Sequence, residues 1–425
     1  MGTSEKWKPV LDGDLRERAL AATYEIAETL RKRSIKDPSL ASGKAGLAIF
    51  YAYLAKARSS AGDEKRAFRL LEGAVDAISA TRMFPDLFGG FTGIAWTMAH
   101  LGDRLLEPGD EDPNEAIDEA LKGYLSQSPW RSDYDLVSGL VGLGVYALER
   151  LPRKSAVECL ELVVDRLDEI AERSADGVTW FTPPDLLPAW QRELCPDGYY
   201  NLGLAHGVPG VIALLAHVCA TIDKKLRGAR GKARPLLGGA VGWLLAQQPP
   251  DHAKCFPHWV APGLSRESSR LAWCYGDLGI AATLLQAALC VSEPDWEQKA
   301  LMIARRASAR SPEQSGVADC GLCHGAAGVG HIFNRMFQAT GREWLADAAR
   351  FWFNRTLEIR RPNQGIAGFA ALRPGPKPRA KKKWIADPGI VEGAAGIGLA
   401  LLAATTPIEP EWDRMLLVSA PPPSA

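Results

Sequence analysis

The sequence predicts an all-α fold, an α/α toroid with an inner ring of seven helices and an outer ring of seven. Three observations predict it. A Gly-x-x-Gly pair followed by an apolar run occurs seven times, at Gly43/Gly46, Gly90/Gly93, Gly139/Gly142, Gly207/Gly210, Gly276/Gly279, Gly325/Gly328 and Gly393/Gly396. Self-similarity of this kind marks a repeat architecture. The apolar runs alternate with charged, amphipathic stretches. Strand signals are sparse.

Each element follows from its pattern. The runs Leu47–Tyr51, Ile94–Met98, Val145–Leu148, Val211–Leu215, Ile280–Leu285, Val329–Phe333 and Ile397–Leu402 are apolar on nearly every face. A helix apolar all round belongs in the interior of a large fold. The stretches Arg16–Arg33, Lys65–Arg82, Asn114–Gln127, Ser155–Arg173, Pro235–Gln247, Trp296–Ser311 and Glu343–Arg360 read as helices with one wet face. Alternating buried and half-wet helices close most simply as a double ring. The glycines admit the tight backbone angles of a helix entry and let neighbouring helices approach.

The repeat spacing is uneven. Gaps of about 47–49 residues suit a plain helix pair. Three gaps are about 20 residues longer, which places insertions near 172–200, 245–272 and 359–388. The first carries Trp180, Pro183, Pro184, Trp190 and Pro196. The third carries a basic run from Arg373 to Trp384. We expect a single toroid domain over residues 1–415 and a disordered tail over 416–425, which includes Pro421–Pro423.

Composition excludes several classes. Lysine plus arginine and aspartate plus glutamate number 50 each, so no net field draws nucleic acid or an anionic membrane. The eight cysteines show no framework spacing apart from Cys320-x-x-Cys323, as expected for reduced thiols in a cytoplasmic protein. The start of the chain reads as neither signal peptide nor membrane span.

Aligning the repeats on the first glycine of each pair exposes the chemistry. Two residues before it stand Ala41, Phe88, Val137, Ala205, Cys274, Cys323 and Val391. One residue before it stand Ser42, Gly89, Ser138, His206, Tyr275, His324 and Glu392. Cys274 and Cys323 share one register, His206 and His324 the next, and Asp135 feeds the same rim. Cys274, Cys323 and His324 make a ligand set suited to one Zn²⁺ per chain, with a fourth position open as in catalytic sites. The competing pair is Cys320 with Cys323, which leaves Cys274 structural. A lone cysteine at a helix start is ordinarily a small buried hydrophobe.

The motifs Asn201-Leu-Gly-Leu-Ala-His206-Gly-Val-Pro-Gly210, Trp273-Cys274-Tyr275-Gly276-Asp277-Leu-Gly279 and Cys323-His324-Gly325-Ala-Ala-Gly328 resemble the signatures of the lanthionine synthetase C-like family. Asp135, in Tyr134-Asp135-Leu-Val-Ser-Gly139, resembles a fourth. The resemblance covers essentially the whole chain. It implies a double ring of seven helices around one zinc. It also implies a free-standing cyclase that adds a peptide cysteine thiol to dehydroalanine or dehydrobutyrine. By that resemblance His206 is the acid/base, Asp135 orients it, Arg270 holds Asp135 or the developing enolate, and Trp273 and Tyr275 shape the pocket. The implied partners are a dehydrated precursor peptide and, around it, a lanthipeptide dehydratase and an exporter. A monomer is expected. The third insertion is a candidate for leader contact or simply a solvated loop. Alternative readings are glutathione addition to dehydroamino acids in proteins, a prenyltransferase-like toroid, and a non-catalytic helical scaffold that binds peptides.

Overall fold

The computed structural model describes residues 7–105, 112–221, 224–249, 255–264, 269–373 and 381–419. The chain divides into two compact units. One holds Met1–Arg82, Leu101–Glu107 and Val317–Trp412; the other holds Met83–His100, Pro108–Gly316 and Asp413–Ala425.

The first unit is built from three buried helices, Lys44–Arg58, Ala326–Thr340 and Ala394–Thr405, each with an amphipathic partner. Ala61–Ala80 covers the first and Glu343–Ile359 the second. Every residue of Ala394–Thr405 is buried, and its partner comes from the other end of the chain, the helix Gly13–Arg31. The N-terminal segment also caps that buried helix. The Trp7 indole donates to the Ala403 carbonyl (2.7 Å), Val10 and Leu11 N–H donate to Ala404 (2.9 and 3.0 Å), and Arg16 donates to Thr405 (3.0 Å). These bonds satisfy carbonyls that a helix C-terminus otherwise leaves orphaned.

The second unit follows the same plan. Leu140–Glu149, Val208–Ala220 and Asp277–Val291 are buried along almost their whole length and pack side by side, with Val208–Ala220 in the middle. Lys154–Glu169, Arg227–Ala246 and Pro294–Ser308 cover them in turn. The part of Phe91–Leu105 up to His100 is buried too, and the Asn114 amide at the start of Glu115–Leu125 donates to its Ala95 carbonyl (2.9 Å). Buried and outer helices thus alternate as expected in both units.

The helix expected over Pro235–Gln247 begins earlier, at Arg227, with Pro235 inside it. Gly228, Gly231 and Pro235 weaken the local propensity. Burial of Ala229, Ala233, Leu236 and Leu237 on one face overrides it. The insertions form small antiparallel sheets. Glu172–Ser174 pairs with Gly177–Thr179, and Ala371–Arg373 pairs with Lys383–Ile385. Phe181–Thr182, Tyr199–Asn201 and Trp259–Val260 form one sheet from the first and second insertions. Most of the basic run at 374–380 lies outside the described residues. The tail expected from 416 is corrected at its start: Leu416, Leu417 and Val418 are buried, because apolar side chains there find a core to enter. Residues 420–425 lie outside the described residues.

The glycine pairs have a sharper role than tight backbone angles. Of the first glycines, Gly276 alone among those with printed angles has a positive φ, 95°; Gly43, Gly139, Gly207, Gly325 and Gly393 are extended. Five of the seven entry loops are folded back by one recurring hydrogen bond. The N–H following the first glycine donates to the carbonyl seven residues earlier: Lys44 to Asp37, Phe91 to Phe84, Leu140 to Asp133, Ala326 to Asp319 and Ala394 to Asp387. A Cβ on Gly139 would lie 2.3 Å from the Asp133 oxygen, and one on Gly328 would lie 1.9 Å from the Leu322 oxygen. The glycines are needed because the loop carbonyl occupies the space of a side chain.

Candidate metal and acid–base site

The entry loops carry the site, and their backbones fix its register. In the second unit, Leu136 N–H donates to the Ala205 carbonyl (3.1 Å) and Ala205 N–H to the Cys274 carbonyl (3.4 Å). In the first, Cys323 N–H donates to Val391 (2.8 Å) and Val391 N–H to Ala41 (3.3 Å). Ala205 and Cys274, like Cys323, Val391 and Ala41, all stand two residues before a first glycine. The register aligned in sequence is therefore a physical row within each unit.

His206 and Asp135 meet in the second unit. His206 Nδ1 lies 2.7 Å from Asp135 Oδ2, while Asp135 Oδ1 accepts from Ser138 N–H (2.7 Å). The carboxylate is thereby held from both sides. With its Nδ1–H given to Asp135, the imidazole keeps Nε2 for proton exchange. Burial opposes a charge on His206, but the Asp135 bond and the negative charge around it outweigh burial, and the pKa is raised. Burial, with the charge of Asp135, pushes the Asp133 carboxyl up to about 6. The His206 side chain keeps 40% of its exposure, so a ligand can reach it.

Tyr275 stacks on His206 with ring centroids 6.0 Å apart. Its hydroxyl accepts from Asn201 (3.2 Å), and His258 packs edge-on against the ring at 5.3 Å. Tyr199 and Trp259 lie flat on each other at 5.2 Å and extend this aromatic wall from the inserted sheet. Trp273 is buried; its indole donates to Leu416 (2.8 Å) and its ring meets Phe88. It supports the Cys274 loop from the core side. Arg270 makes no ion pair with Asp135 among the described residues, whose carboxylate bonds Ser138 and His206 instead.

In the first unit, His324 Nδ1 is buried without a hydrogen-bond partner, while Nε2 lies 3.8 Å from Asp319 Oδ2. Asp319 also accepts from Gly321 and Leu372 N–H. Arg373, on the third insertion's hairpin, bonds Asp387 (2.5 Å) and Glu392. Cys320 is buried and its thiol donates to the Thr356 carbonyl (3.5 Å), which argues against the pairing of Cys320 with Cys323 as ligands. Cys323 and His324 each offer a metal-ligating atom in the first unit, and Cys274 offers one in the second.

The model of the lanthionine synthetase C-like proteins matches residues 34–417. The chain belongs to that family. It is 24% identical over 311 residues to the nisin biosynthesis protein NisC of Lactococcus lactis subsp. lactis, which spans 68% of this chain and 72% of NisC. A solved structure of a nisin cyclase superposes with a TM-score of 0.71 at 19% identity, covering 96% of this chain and 98% of that one. The likeness shows the fold, the α/α toroid expected from the sequence.

The donor chemistry fits the metal that the family implies. Two thiols and an imidazole suit zinc, and an orphaned buried ring nitrogen is what a ligand looks like before its ion is counted. The His324 ring faces the Asp319 carboxylate at 3.8 Å, beyond hydrogen-bond distance. Sequence reasoning missed the wall residues Asn201, Tyr199, His258 and Trp259, and the carboxylate Asp133. One signal was available. Six residues before the first glycine stand Asp37, Asp133, Asn201, Asp319 and Asp387, whereas Phe84 and Arg270 depart from the pattern. Where its carboxylate or amide accepts an N–H two residues on, as at Asp37, Asn201, Asp319 and Asp387, this residue builds the entry loop.

Proposed function

We propose that this protein is a lanthipeptide cyclase. It adds cysteine thiols of a dehydrated precursor peptide to dehydroalanine or dehydrobutyrine residues and so closes lanthionine and methyllanthionine thioether rings. Family membership over residues 34–417 is the observation that carries this reading. The relatives named nisin cyclase and nisin biosynthesis protein NisC support it. We read the chain through Ser419 as one cyclase domain. It works in the cytoplasm as a monomer, alongside a dehydratase and an exporter. Among the described residues no helix is long and apolar enough to cross a membrane.

The chemistry needs a nucleophilic sulfur, a polarised acceptor and a proton for the α-carbon. Zinc held by Cys274, Cys323 and His324 would supply the positive charge that keeps a substrate thiol deprotonated near neutral pH. His206 handles the proton. Attack at the β-carbon places negative charge on the α-carbon and its carbonyl. The imidazolium, favoured by Asp135, donates its Nε2 proton to the α-carbon, and the proton released from the thiol restores it. No net proton is consumed. Asp135 holds the ring in the tautomer that presents Nε2. Arg270, without a carboxylate partner among the described residues, is the candidate to face the enolate oxygen. Tyr275 shapes the pocket beside His206, and Trp273 supports the loop beneath it.

The test is a dehydrated precursor peptide incubated with enzyme, then treated with a thiol alkylating reagent and weighed. Cyclisation leaves the mass unchanged and removes the alkylatable thiols. A peptide that stays fully alkylatable, with enzyme that carries about one zinc per chain, would overturn the reading. Metal content of Cys274→Ala and Cys323→Ala, with circular dichroism as the folding control, tests the ligand set separately.

A further inference from the structure

We propose a second binding site, for a small organic phosphate ester, at the end of the second unit remote from the chemistry. An open cleft of about 720 Å³ is lined there by Arg227, Arg230, Gly231 and Arg234, with Cys219, Cys290 and Val291 at its base. Its size is that of small-molecule sites. The three arginines are spaced three and four residues apart, so they share one face of the helix Arg227–Ala246. That helix has no acidic residue. Arg234 is already engaged: it bonds Glu293 (2.5 Å) and lies 5.7 Å from the Trp296 ring centre. Arg227 and Arg230 have no carboxylate partner among the described residues. Two guanidiniums without a carboxylate partner among the described residues, forked donors that match phosphate oxygens, stand beside an apolar floor.

The site is separate from the acid–base pair. Cys219 ends the helix Val208–Ala220, whose entry loop carries His206, so about 20 Å of helix lies between them. Cys290 likewise ends Asp277–Val291, whose entry loop carries Cys274. A ligand there binds beyond the reach of bond-making at His206. The double positive charge selects a dianion, and the floor of thiols and valine selects one with an apolar body.

Calorimetric titration of the full chain with phenyl phosphate tests this. Phenyl phosphate binds; benzoate, with one charge, and inorganic phosphate, without the apolar body, each bind about tenfold more weakly or less. The double variant Arg227→Gln/Arg230→Gln loses about tenfold or more in affinity, whereas Lys232→Gln, on the same helix but paired with Asp165, does not. Phenyl phosphate also slows alkylation of Cys219, read by peptide mass spectrometry. The proposal is overturned by the absence of binding heat, by equal losses in the double and Lys232 variants, by benzoate binding as well as phenyl phosphate, or by an unprotected Cys219. None of these readouts depends on cyclase activity.

Discussion

Two carboxylates two residues apart have opposite fates at the rim. Asp135 is fixed by Ser138 and His206, while Asp133 is half-buried near both charges and its pKa is pushed up to about 6. Replacing Asp135 by Asn removes the interaction that raises the His206 pKa. We expect kcat/KM to fall about 100-fold and the pH–rate limb that belongs to His206 to move to lower pH; ring NMR shifts of His206 would report the same movement. An unmoved limb would separate Asp135 from proton transfer. Asp133 affects stability instead. The folded chain keeps its proton up to about pH 6, whereas the unfolded chain releases it near 3.8. Between those values the folded state binds more protons, so stability falls as pH rises, by up to about 3 kcal/mol once pH passes 6. Asp133→Asn removes this dependence. Urea midpoints should show the variant gaining on the natural sequence between about pH 4 and about pH 7.

The elementary unit of this chain is a buried helix and the loop that folds back over its first turn. In six of the seven pairs both glycines serve that loop, because its backbone presses on the helix entry. Gly328→Ala places a methyl group 1.9 Å from the Leu322 oxygen and should destabilise the chain by about 2–4 kcal/mol. Gly238 sits in the helix Arg227–Ala246 with nothing within 4 Å of its added Cβ. Gly238→Ala should stabilise by about 0.5–1 kcal/mol through helix propensity. Denaturant midpoints of the two variants decide the matter. Similar midpoints would remove close approach as the reason for the repeat. The seven glycine pairs and the buried runs after them were legible in sequence because both are local patterns. The wall of Tyr199, Trp259 and His258 was not. Its residues lie in insertions that have no periodicity and meet only through a three-stranded sheet.

At the scale of the molecule, the buried helix Ala394–Thr405 is followed by no outer helix among the described residues and packs instead against one from early in the chain, Gly13–Arg31. Trp7, Val10, Leu11 and Arg16 bond the final carbonyls of Ala394–Thr405. Trp7→Phe keeps most of the buried ring and removes the indole donor. It should lower stability by about 1–2 kcal/mol, measured as a shift in the urea midpoint with unchanged slope. No shift would mean that the N-terminal segment is tethered by its helix alone.

The sequence by itself determined the all-α class, the seven-fold repeat, the alternation of buried and half-wet helices, and the shared register of Cys274 with Cys323 and of His206 with His324. These follow from composition and spacing, which are written along the chain. Only the tertiary structure decided that Cys320 turns to the Thr356 carbonyl, that Asp135 rather than Asp133 takes the His206 ring, and that Asp135 bonds Ser138 and His206 rather than Arg270. It also decided that the first helix completes the last pair. Each depends on which groups meet across loops distant in sequence, where hydrogen bonding and burial set the outcome and no local pattern records it.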